Sequence, residues 1–263
     1  MNTLAIILAR GGSQGLKSKH LLSLLNKPVI SYTFDHARAA RLVTQIVLTS
    51  DSEEILRLGS EAGLLTIRRP DHLATDDAAV QDVLLDALRG VEASQSFHAD
   101  AVVCLYGNVP VRGDDVIDRA LSLLHDTGCD SVRSFCPVGK WHPAWMAELD
   151  EDRVIPHQPG SIHRRQDLDP LFLHDGAAVA VARSSLLRAL EHPEDPHAFF
   201  GVDRRAIRTA PGETVEIDQL TDFFLAEAIL RHRAGIEPAP KPIAGSLRPV
   251  VTTSVKRTLR KAS

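Results

Sequence analysis

The sequence predicts an α/β fold with a doubly wound, mainly parallel sheet, and two observations support this prediction. Apolar segments of strand length, such as residues 3–9 and 101–106, show no alternation, as expected of strands buried on both faces. Segments with helical periodicity, such as residues 29–42, separate these strands along the chain. Regular alternation of strand and helix is typical of parallel sheets with right-handed crossovers.

The other elements follow the same rhythm. Ser50 and Glu53 match an S-x-x-E capping box, which predicts a helix from there to Glu61. The remaining predicted strands are residues 45–49, 64–68, 130–136, 176–181 and 213–218, and the remaining predicted helices are residues 77–91, 114–125, 184–190 and 219–232.

Residues 137–170 interrupt this rhythm, since they are rich in Pro, His, Trp and charged residues. A structureless loop of this length is unusual in a compact domain. We therefore predict one domain over residues 1–235 with an insertion at 137–170 that forms a hairpin or arm, covers the site or contacts another subunit. Residues 236–263, rich in Pro and Ala and then basic, are predicted to form a solvated tail.

Composition limits the partners of this chain. A net charge of -4 over 263 residues argues against a general nucleic-acid-binding surface. No apolar stretch approaches the length of a membrane span, and no signal peptide is recognisable. The three cysteines, Cys104, Cys129 and Cys136, form no CxxC pair, so we expect reduced thiols and a cytoplasmic protein.

The first predicted strand ends in the sequence RGGSQGLKSK, which is typical of a phosphate-binding loop. Glycines allow backbone N–H groups to approach an anion closely, and Arg10, Lys17 and Lys19 supply positive charge. In open α/β sheets, ligands bind beyond the carboxyl ends of the strands. We therefore expect a ligand that carries phosphate.

Other interpretations of this loop are weaker. The glycine spacing matches neither Walker A nor the G-x-G-x-x-G dinucleotide pattern. Gly11 to Gly15 do match the nucleophile elbow G-x-S-x-G, with Ser13 as the nucleophile. That elbow requires a helix directly after the serine, however, and residues 17–26 have the character of a loop. A glycine-rich turn with solvated lysines is the remaining alternative.

Glu216 and Asp218 lie two residues apart at the end of a predicted strand. Alternation places both side chains on one side of that strand. A carboxylate pair opposite a cationic loop suits Mg²⁺ bridging the oxygens of a triphosphate. A helix N-cap at Asp218 is the simpler alternative if the pair is considered in isolation.

The chain resembles the acylneuraminate cytidylyltransferase family, whose members form CMP esters of nine-carbon keto sugar acids and which is related to CMP-Kdo synthetases. The resemblance extends from residue 4 to about residue 232. The matching segments, in chain order, are ILARGGSQGLKSKH, VLTSDSEEI, RRPDHLATDDAAVQDVLLDAL, VVCLYGNVPVR, DSVRSFCPVGKWHPAWM, RRQDLDPLFLHDGA and VEIDQLTDFFLAE.

This resemblance implies a Rossmann-like, GT-A-like nucleotidyltransferase fold and a specific set of site residues. Nucleotide-binding positions are implied at Arg10, Gly11, Gly12, Ser13, Gln14, Lys19, Arg69 and Tyr106. Asn108 is implied near the sugar, and Arg165 and Gln166 are implied near the sugar and its carboxylate. Glu216 and Asp218 are implied as Mg²⁺ ligands. Arg10, Lys19 and Asp218 are implied to be catalytic. Residues 140–145 fall in the region that family members use to form a homodimer.

The chain departs from the family pattern at several positions. Gln14 replaces a usual lysine, His20 a usual asparagine and Val80 a frequent serine, and YGNV replaces QPTS at 106–109.

From the resemblance, the cationic loop and the acidic pair together, we predict a Mg²⁺-dependent transfer of CMP from CTP to a nonulosonic acid (sialic, legionaminic or pseudaminic type). The alternatives are a CMP-Kdo-type synthetase and a non-catalytic homologue that binds nucleotides or sugar nucleotides.

Overall fold

A computed structural model describes residues 1–12, 15–158, 160 and 162–236. Its centre is a seven-stranded sheet of strand order β11-β7-β10-β6-β1-β4-β5. These strands are β1 (Thr3–Leu8), β4 (Gln45–Ser50), β5 (Leu65–Arg68), β6 (Ala101–Tyr106), β7 (Ser131–Pro137), β10 (Phe172–Ala182) and β11 (Arg204–Arg208). β10 is antiparallel to β6 and β7, and the other neighbours are parallel. The mainly parallel sheet predicted from the sequence is therefore confirmed.

Helices cover both faces of the sheet. The helices are α1 (Val29–Ala39), α2 (Glu53–Glu61), α3 (Val80–Ser94), α4 (Val116–Thr127), α5 (Arg183–Arg188) and α6 (Leu220–Arg233). Alternate residues of β1 serve the two faces: Ile7 packs in the core formed with α1, α2 and α4, whereas Ile6 packs in the core formed with α3 and α5. Burial on both faces explains why β1 is apolar throughout. None of the helices in the described ranges is long and apolar enough to cross a membrane.

Short elements complete the fold. β2 (Ser23–Leu24) and β3 (Lys27–Pro28) form a small hairpin before α1, and β8 (Ala147–Asp150) pairs with β9 (Arg153–Pro156) in a second hairpin. The second hairpin is the arm expected within residues 137–170, and every residue of its two strands is exposed. The predicted tail lies, from residue 237 onward, outside the described residues.

The segment around the acidic pair is not a strand, so the prediction for residues 213–218 is wrong. Only an isolated bridge between Val111 and Val215 forms there. The alternation of buried and accessible side chains is present, because Val215 and Ile217 are buried beneath α6. An alternating pattern of buried and accessible residues indicates an extended chain with one buried face. It does not show whether that chain forms the hydrogen bonds of a β-sheet.

Two further local predictions are corrected. The strand β11 was not expected, since it contains three arginines and only Ile207 is buried. The capping box at Ser50 is also wrong, because Ser50 ends β4 and Ser52 caps α2 instead. The Ser52 hydroxyl accepts a hydrogen bond from the Ile55 backbone N–H.

β10 carries a bulge that shapes the site. The register shifts between His174 and Val179, and Gly176 has a φ of +72°, a conformation that glycine adopts without strain. Asp175 stabilises this bulge by accepting hydrogen bonds from the Ser134 and Thr209 hydroxyls and from the Ala177 backbone N–H. The bulge turns the first half of β10 so that His174 faces a cavity at the edge of the sheet.

Candidate active site

The parallel strands deliver their site residues at the same edge of the sheet. Arg10 follows β1, Arg69 follows β5, and Tyr106 ends β6 with Asn108 two residues beyond. The carboxyl ends of parallel strands are where α/β sheets bind their ligands. Together these residues line a cleft of about 200 Å³ that also includes Glu216.

Two contacts hold the loop after β1 in place: one is a hydrogen bond to a carboxylate, and the other is a close approach that only a glycine allows. The Gly11 backbone N–H donates to Asp51 Oδ1 at 2.8 Å. A Cβ at Gly15 would lie 2.5 Å from the Asp218 backbone oxygen, so a side chain there would separate the loop from the acidic segment. Ser13 and Gln14 lie outside the described residues. Gly12, like Gly11, belongs to this loop and stays a predicted nucleotide-binding position.

The residues after the loop do not support the nucleophile-elbow interpretation. Only a 3-10 helix, Lys19–Leu21, and the β2–β3 hairpin occur in residues 15–28 before α1 begins. The elbow needs an α-helix that starts at the nucleophile.

Lys19, Asn108, Glu216 and Asp218 form a compact polar cluster at the base of the cleft. The Lys19 ammonium donates to Asp218 Oδ1 at 2.6 Å. The buried Asn108 amide donates to Glu216 Oε1 at 3.1 Å, to Asp218 Oδ1 at 3.3 Å and to the Ile217 carbonyl at 3.0 Å. One amide therefore orients both carboxylates toward the same point.

Burial makes the neighbouring negative charges of this cluster unfavourable unless positive charge lies close to them. Burial, together with the nearby Asp218 carboxylate, raises the pKa of Glu216. Two carboxylates in this position are stabilised by a cation between them. Lys19 supplies one positive charge, and its side chain is mostly buried, whereas Asp218 is exposed. The cluster thus attracts further positive charge.

The carboxylate pair has the chemistry of a Mg²⁺ site. Mg²⁺ prefers oxygen ligands and ordinarily keeps water and substrate phosphates in its coordination shell. Glu216 and Asp218 offer oxygens held within hydrogen-bond reach of one amide nitrogen. Within the described residues no group of three or more His, Cys, Asp or Glu is arranged to hold a metal ion. Two carboxylate side chains supply part of the oxygen ligands of such an ion, which ordinarily takes the rest from water and phosphate.

Arg69 and His20 form the buried wall of the cleft. Arg69 is 5% exposed, and its Nη2 donates to the Thr49 carbonyl at 3.1 Å. Its Nε–H is buried and has no hydrogen-bond partner among the described residues, which leaves one donor for a ligand in the cleft. Burial, and then the Lys19 and Arg69 charges, lower the pKa of His20 to about 3. His20 is therefore neutral at pH 7.

Arg10 also lines the cleft. It forms an ion pair with Asp76, which also lines the cleft. Both side chains are substantially exposed, so the pair is weak compared with a buried one. A phosphate ligand would compete with Asp76 for the Arg10 guanidinium.

A second cavity of about 340 Å³ adjoins this cleft. The two share three lining residues, Ala78, Val80 and Tyr106. The other lining residues of this second cavity, which we call the side cavity, are Asp77, Ala79, Arg133, His174, Pro196, His197, Phe199 and Phe200. Shared walls place a molecule in the side cavity next to one in the cleft.

Arg165 and Gln166 are not brought to the cleft within one chain. Both lie in a 3-10 helix, Arg165–Asp167, at the base of the arm. Arg165 lines a separate cavity of about 130 Å³ with Gly139 and His142. Their role near the sugar stays a prediction.

Sequence reasoning did not recognise two contributions. Asn108 stays a predicted substrate-binding residue that lines the cleft, and the structure adds that its amide donates to both carboxylates. Arg133 was not singled out, although it lies on β7 and lines the side cavity.

A cleft at the carboxyl edge of a mainly parallel sheet, lined by arginine, lysine and paired carboxylates, is characteristic of nucleotide-handling α/β proteins. The sequence model of the family described as cytidylyltransferase matches residues 4–237. The chain therefore belongs to the cytidylyltransferase family.

Two relatives illustrate the similarity. The chain is 31% identical over 228 residues to N-acylneuraminate cytidylyltransferase of Streptococcus agalactiae serotype V, covering 85% of this chain and 52% of that protein. It is 25% identical over 233 residues to CMP-N,N'-diacetyllegionaminic acid synthase of Legionella pneumophila, covering 88% and 97%. The chain thus spans about half the length of the streptococcal relative.

A solved structure supports the fold. The structure of CMP:2-keto-3-deoxy-manno-octonic acid synthetase complexed with CTP superposes with a TM-score of 0.70 at 18% sequence identity. The superposition covers 89% of this chain and 100% of that one. The fold is therefore that of a Rossmann-like nucleotidyltransferase.

Proposed function

We propose that this protein is a Mg²⁺-dependent cytidylyltransferase that transfers CMP from CTP to a nonulosonic acid of the sialic, legionaminic or pseudaminic type and releases pyrophosphate. The family and the names of its relatives support this proposal. The observation that carries it is the cluster in which Lys19, Asn108, Glu216 and Asp218 converge at the base of the cleft. We assign the activity to the cytoplasm.

The proposed reaction is an in-line displacement at the α-phosphorus of CTP. The anomeric hydroxyl oxygen of the sugar acid forms the new bond to phosphorus, and the bond from that phosphorus to the α–β bridging oxygen breaks. Pyrophosphate leaves with the electron pair of the broken bond, and the hydroxyl proton passes to solvent. Catalysis then consists mainly of positioning and of neutralising charge. Lys19 and Arg10 are suited to this role, since both are cations that line the cleft.

Mg²⁺, held by Glu216 and Asp218, would neutralise negative charge on the phosphate oxygens. Asn108 fixes the two carboxylates by hydrogen bonds, and Lys19 contacts Asp218 directly.

We assign the nucleotide base to the buried wall of the cleft. The unpartnered Arg69 Nε–H is a donor for a carbonyl oxygen of the pyrimidine ring. Neutral His20 packs next to Gly107, where a Cβ would lie 3.0 Å from the imidazole. Burial raises the pKa of Tyr106, so its phenol stays protonated at the junction between the cleft and the side cavity.

We further propose that the arm mediates a homodimer. An isolated two-stranded hairpin is only marginally stable in water. The arm nevertheless exposes the large apolar side chains of Leu149, Val154 and Ile155, and the segment just before it exposes those of Trp141 and Met146. A second copy of the chain, with the same apolar arm, is the partner that would bury them by a two-fold arrangement.

Pyrophosphate release tests the proposed function. Purified protein with Mg²⁺ would be given each of the four ribonucleoside triphosphates and a panel of neuraminic, legionaminic, pseudaminic and Kdo acids. We expect release with CTP and at least one of the nine-carbon acids. Preference for Kdo would favour the alternative synthetase, and tight CTP binding without release would favour a non-catalytic homologue.

A further inference from the structure

One carboxylate of the cleft is paired with a cation that the proposed reaction uses for phosphate. Arg10 and Asp76 both line the cleft, and the Arg10 guanidinium forms an ion pair with the Asp76 carboxylate. The two side chains are 32% and 47% exposed, so a ligand in the cleft can reach both of them. A phosphate oxygen and a carboxylate oxygen accept the same kind of charge-assisted hydrogen bond from a guanidinium. Asp76 and a phosphate group are therefore alternative partners of Arg10.

The backbone on the Arg10 side of this ion pair is fixed. Arg10 directly follows the Ala9 residue, whose N–H donates to the Thr49 carbonyl at 3.2 Å. On its other side, the Gly11 N–H donates to Asp51 Oδ1 at 2.8 Å. Strand β1, from which Arg10 continues, is buried throughout. The backbone of Arg10 is therefore a fixed point of the cleft.

The Asp76 side of the ion pair lies on an exposed turn. This turn connects the 3-10 helix Asp71–Leu73 to the start of α3 at Val80, and residues 75–77 are exposed. Exposed turns outside helices and strands belong to the parts of a protein that move at the lowest cost in free energy. A ligand that binds the Arg10 guanidinium therefore displaces the Asp76 carboxylate and leaves the backbone of Arg10 in place.

The charges of the cleft favour this exchange only for ligands that carry phosphate. Lys19 contacts Asp218 and Arg10 contacts Asp76, so each of these two cations is paired with a carboxylate. Asp218 belongs to the acidic pair that we assign to Mg²⁺, whereas the proposed reaction gives Asp76 no role. A polyphosphate chain brings several negative charges to Arg10, which one carboxylate cannot match. A ligand without phosphate leaves the ion pair intact.

We propose that Asp76 is an internal competitor for Arg10, which weakens the binding of polyphosphate groups and thereby promotes the release of pyrophosphate; this inference rests on the proposed function. When pyrophosphate leaves the cleft, the Asp76 carboxylate takes its place on the Arg10 guanidinium. The same contact weakens the binding of CTP, whose base and ribose supply further contacts that pyrophosphate lacks. Asp76 thus limits inhibition of the enzyme by its own product.

Binding measurements test this proposal. Calorimetric titrations with CTP, with inorganic pyrophosphate and with cytidine, each in the presence of Mg²⁺, would compare wild type with Asp76→Asn. We expect Asp76→Asn to bind CTP and pyrophosphate about two- to fivefold more tightly, which is the effect of removing one exposed ion pair. Cytidine carries no phosphate and should bind to both proteins alike.

The neighbouring Asp77 provides a matched control. Asp77 is exposed on the same turn, but it lines the side cavity and not the cleft. Asp77→Asn removes the same charge and should leave both affinities close to those of wild type, because salt screens exposed charges that do not contact the ligand. Asp76→Glu keeps the charge and should retain the weaker binding of wild type.

A double substitution shows whether Asp76 acts through Arg10. In an Arg10→Gln background the guanidinium is absent, so the further change Asp76→Asn should no longer tighten the binding of pyrophosphate. Turnover supplies a readout that a purely structural role of Asp76 would not change. The inhibition constant for added pyrophosphate should fall about two- to fivefold in Asp76→Asn, in parallel with the tighter binding.

The outcomes distinguish this inference from the proposed function. If Asp76→Asn binds CTP less tightly than wild type, Asp76 contacts the nucleotide or its Mg²⁺, and the inference is wrong while the proposed function stands. If Asp76→Asn binds pyrophosphate as wild type does, or keeps its gain in the Arg10→Gln background, Asp76 does not compete for Arg10. If wild type binds neither CTP nor pyrophosphate, the proposed function fails and this inference fails with it.

Discussion

At the scale of single residues, the side chain of Asn108 positions both carboxylates of the acidic site. Its one amide nitrogen donates to both carboxylates and to the backbone between them. Asn108 is buried, so its rotamer is fixed by packing. The two carboxylates are consequently positioned before any ligand arrives, and preorganisation of this kind is a major source of catalysis.

Removing the Asp218 charge should abolish most of the chemistry without unfolding the protein. Asp218 is exposed and lies outside the regular elements, so Asp218→Asn should leave the thermal midpoint unchanged. Turnover should fall about 10²- to 10⁴-fold, as for loss of a group that stabilises transition-state charge. Asp126→Asn, on the exposed end of α4, is the control. Wild-type turnover in Asp218→Asn would remove this carboxylate from the mechanism.

His20 should make stability depend on pH. Its pKa in the folded protein is about 3, against about 6.5 when unfolded, so folding favours the neutral imidazole. Its contribution is complete above pH 6.5 and is lost as the pH falls toward 3. The free energy of unfolding should decrease by up to about 1.4 kcal/mol per pH unit in that range.

Urea unfolding at pH 7 and pH 5 checks this expectation. His20→Asn should flatten the pH dependence, whereas His163→Asn, at an exposed histidine, should not. His36 adds a parallel effect, because burial and the Arg112 charge lower its pKa to about 3. An unchanged slope in His20→Asn would mean that His20 is solvated or protonated in the folded state.

At the scale of elements, the loop after β6 is fixed by Arg112. This fully buried arginine donates to the carbonyls of Ala177, Val109 and Tyr106. It thereby ties the loop that carries Asn108 to strand β10. Among the described residues no carboxylate forms an ion pair with Arg112, and backbone carbonyls accept the hydrogen bonds of its guanidinium instead.

Replacing Arg112 should therefore be severe. Arg112→Met removes the donor of the Ala177 carbonyl, and the single Thr33 hydroxyl can serve only one of the Tyr106 and Val109 carbonyls. Two carbonyls thus lose their donor, each costing about 1–3 kcal/mol, so the free energy of unfolding should fall by about 2 kcal/mol or more. Arg112→Lys should not rescue it, since an ammonium cannot reach the same acceptors in the same plane. Chemical denaturation measures both, with Arg119→Met on α4 as the control. A decrease in the free energy of unfolding of less than about 1 kcal/mol would show that other contacts hold the loop.

The sequence predicted those elements whose signal is local. β1, β6 and α6 follow from apolar runs and periodicity, and all three occur within a residue or two of the predicted bounds. β11 was missed because its exposed arginines mask the one buried position, Ile207. Such edge strands are defined by their partner, here β7, and not by their own composition.

The candidate site was predictable in part for the same reason. The cationic loop and the acidic pair carry their chemistry in residue type and spacing, and the structure brings Lys19 and Asp218 into contact across 199 positions of sequence. The hydrogen bonds of Asn108 depend on tertiary packing, and no local sequence pattern would report them.

At the scale of the whole molecule, the arm should determine the oligomeric state. Leu149 and Val154 face each other across the hairpin and are 74% and 67% exposed. Leu149→Asp should convert a dimer into a monomer, because a charge replaces apolar contact area at the proposed interface. Light scattering compares it with wild type, and Glu148→Gln on the same strand is the control.

Two results would contradict the proposed dimer. A monomeric wild type would remove the interface altogether. A dimeric Leu149→Asp would place the interface on another surface of the molecule.

The most direct test of the central claim is the fate of the α-phosphate of CTP. Protein, Mg²⁺ and CTP labelled at the α-phosphate would be incubated with the panel of sugar acids. The products would then be separated and identified by mass spectrometry. We expect the label to appear in a CMP ester of a nine-carbon keto acid, with one pyrophosphate released per ester formed. Label that stays in CTP with every acid, or that is released as free CMP without any acid, would contradict the account.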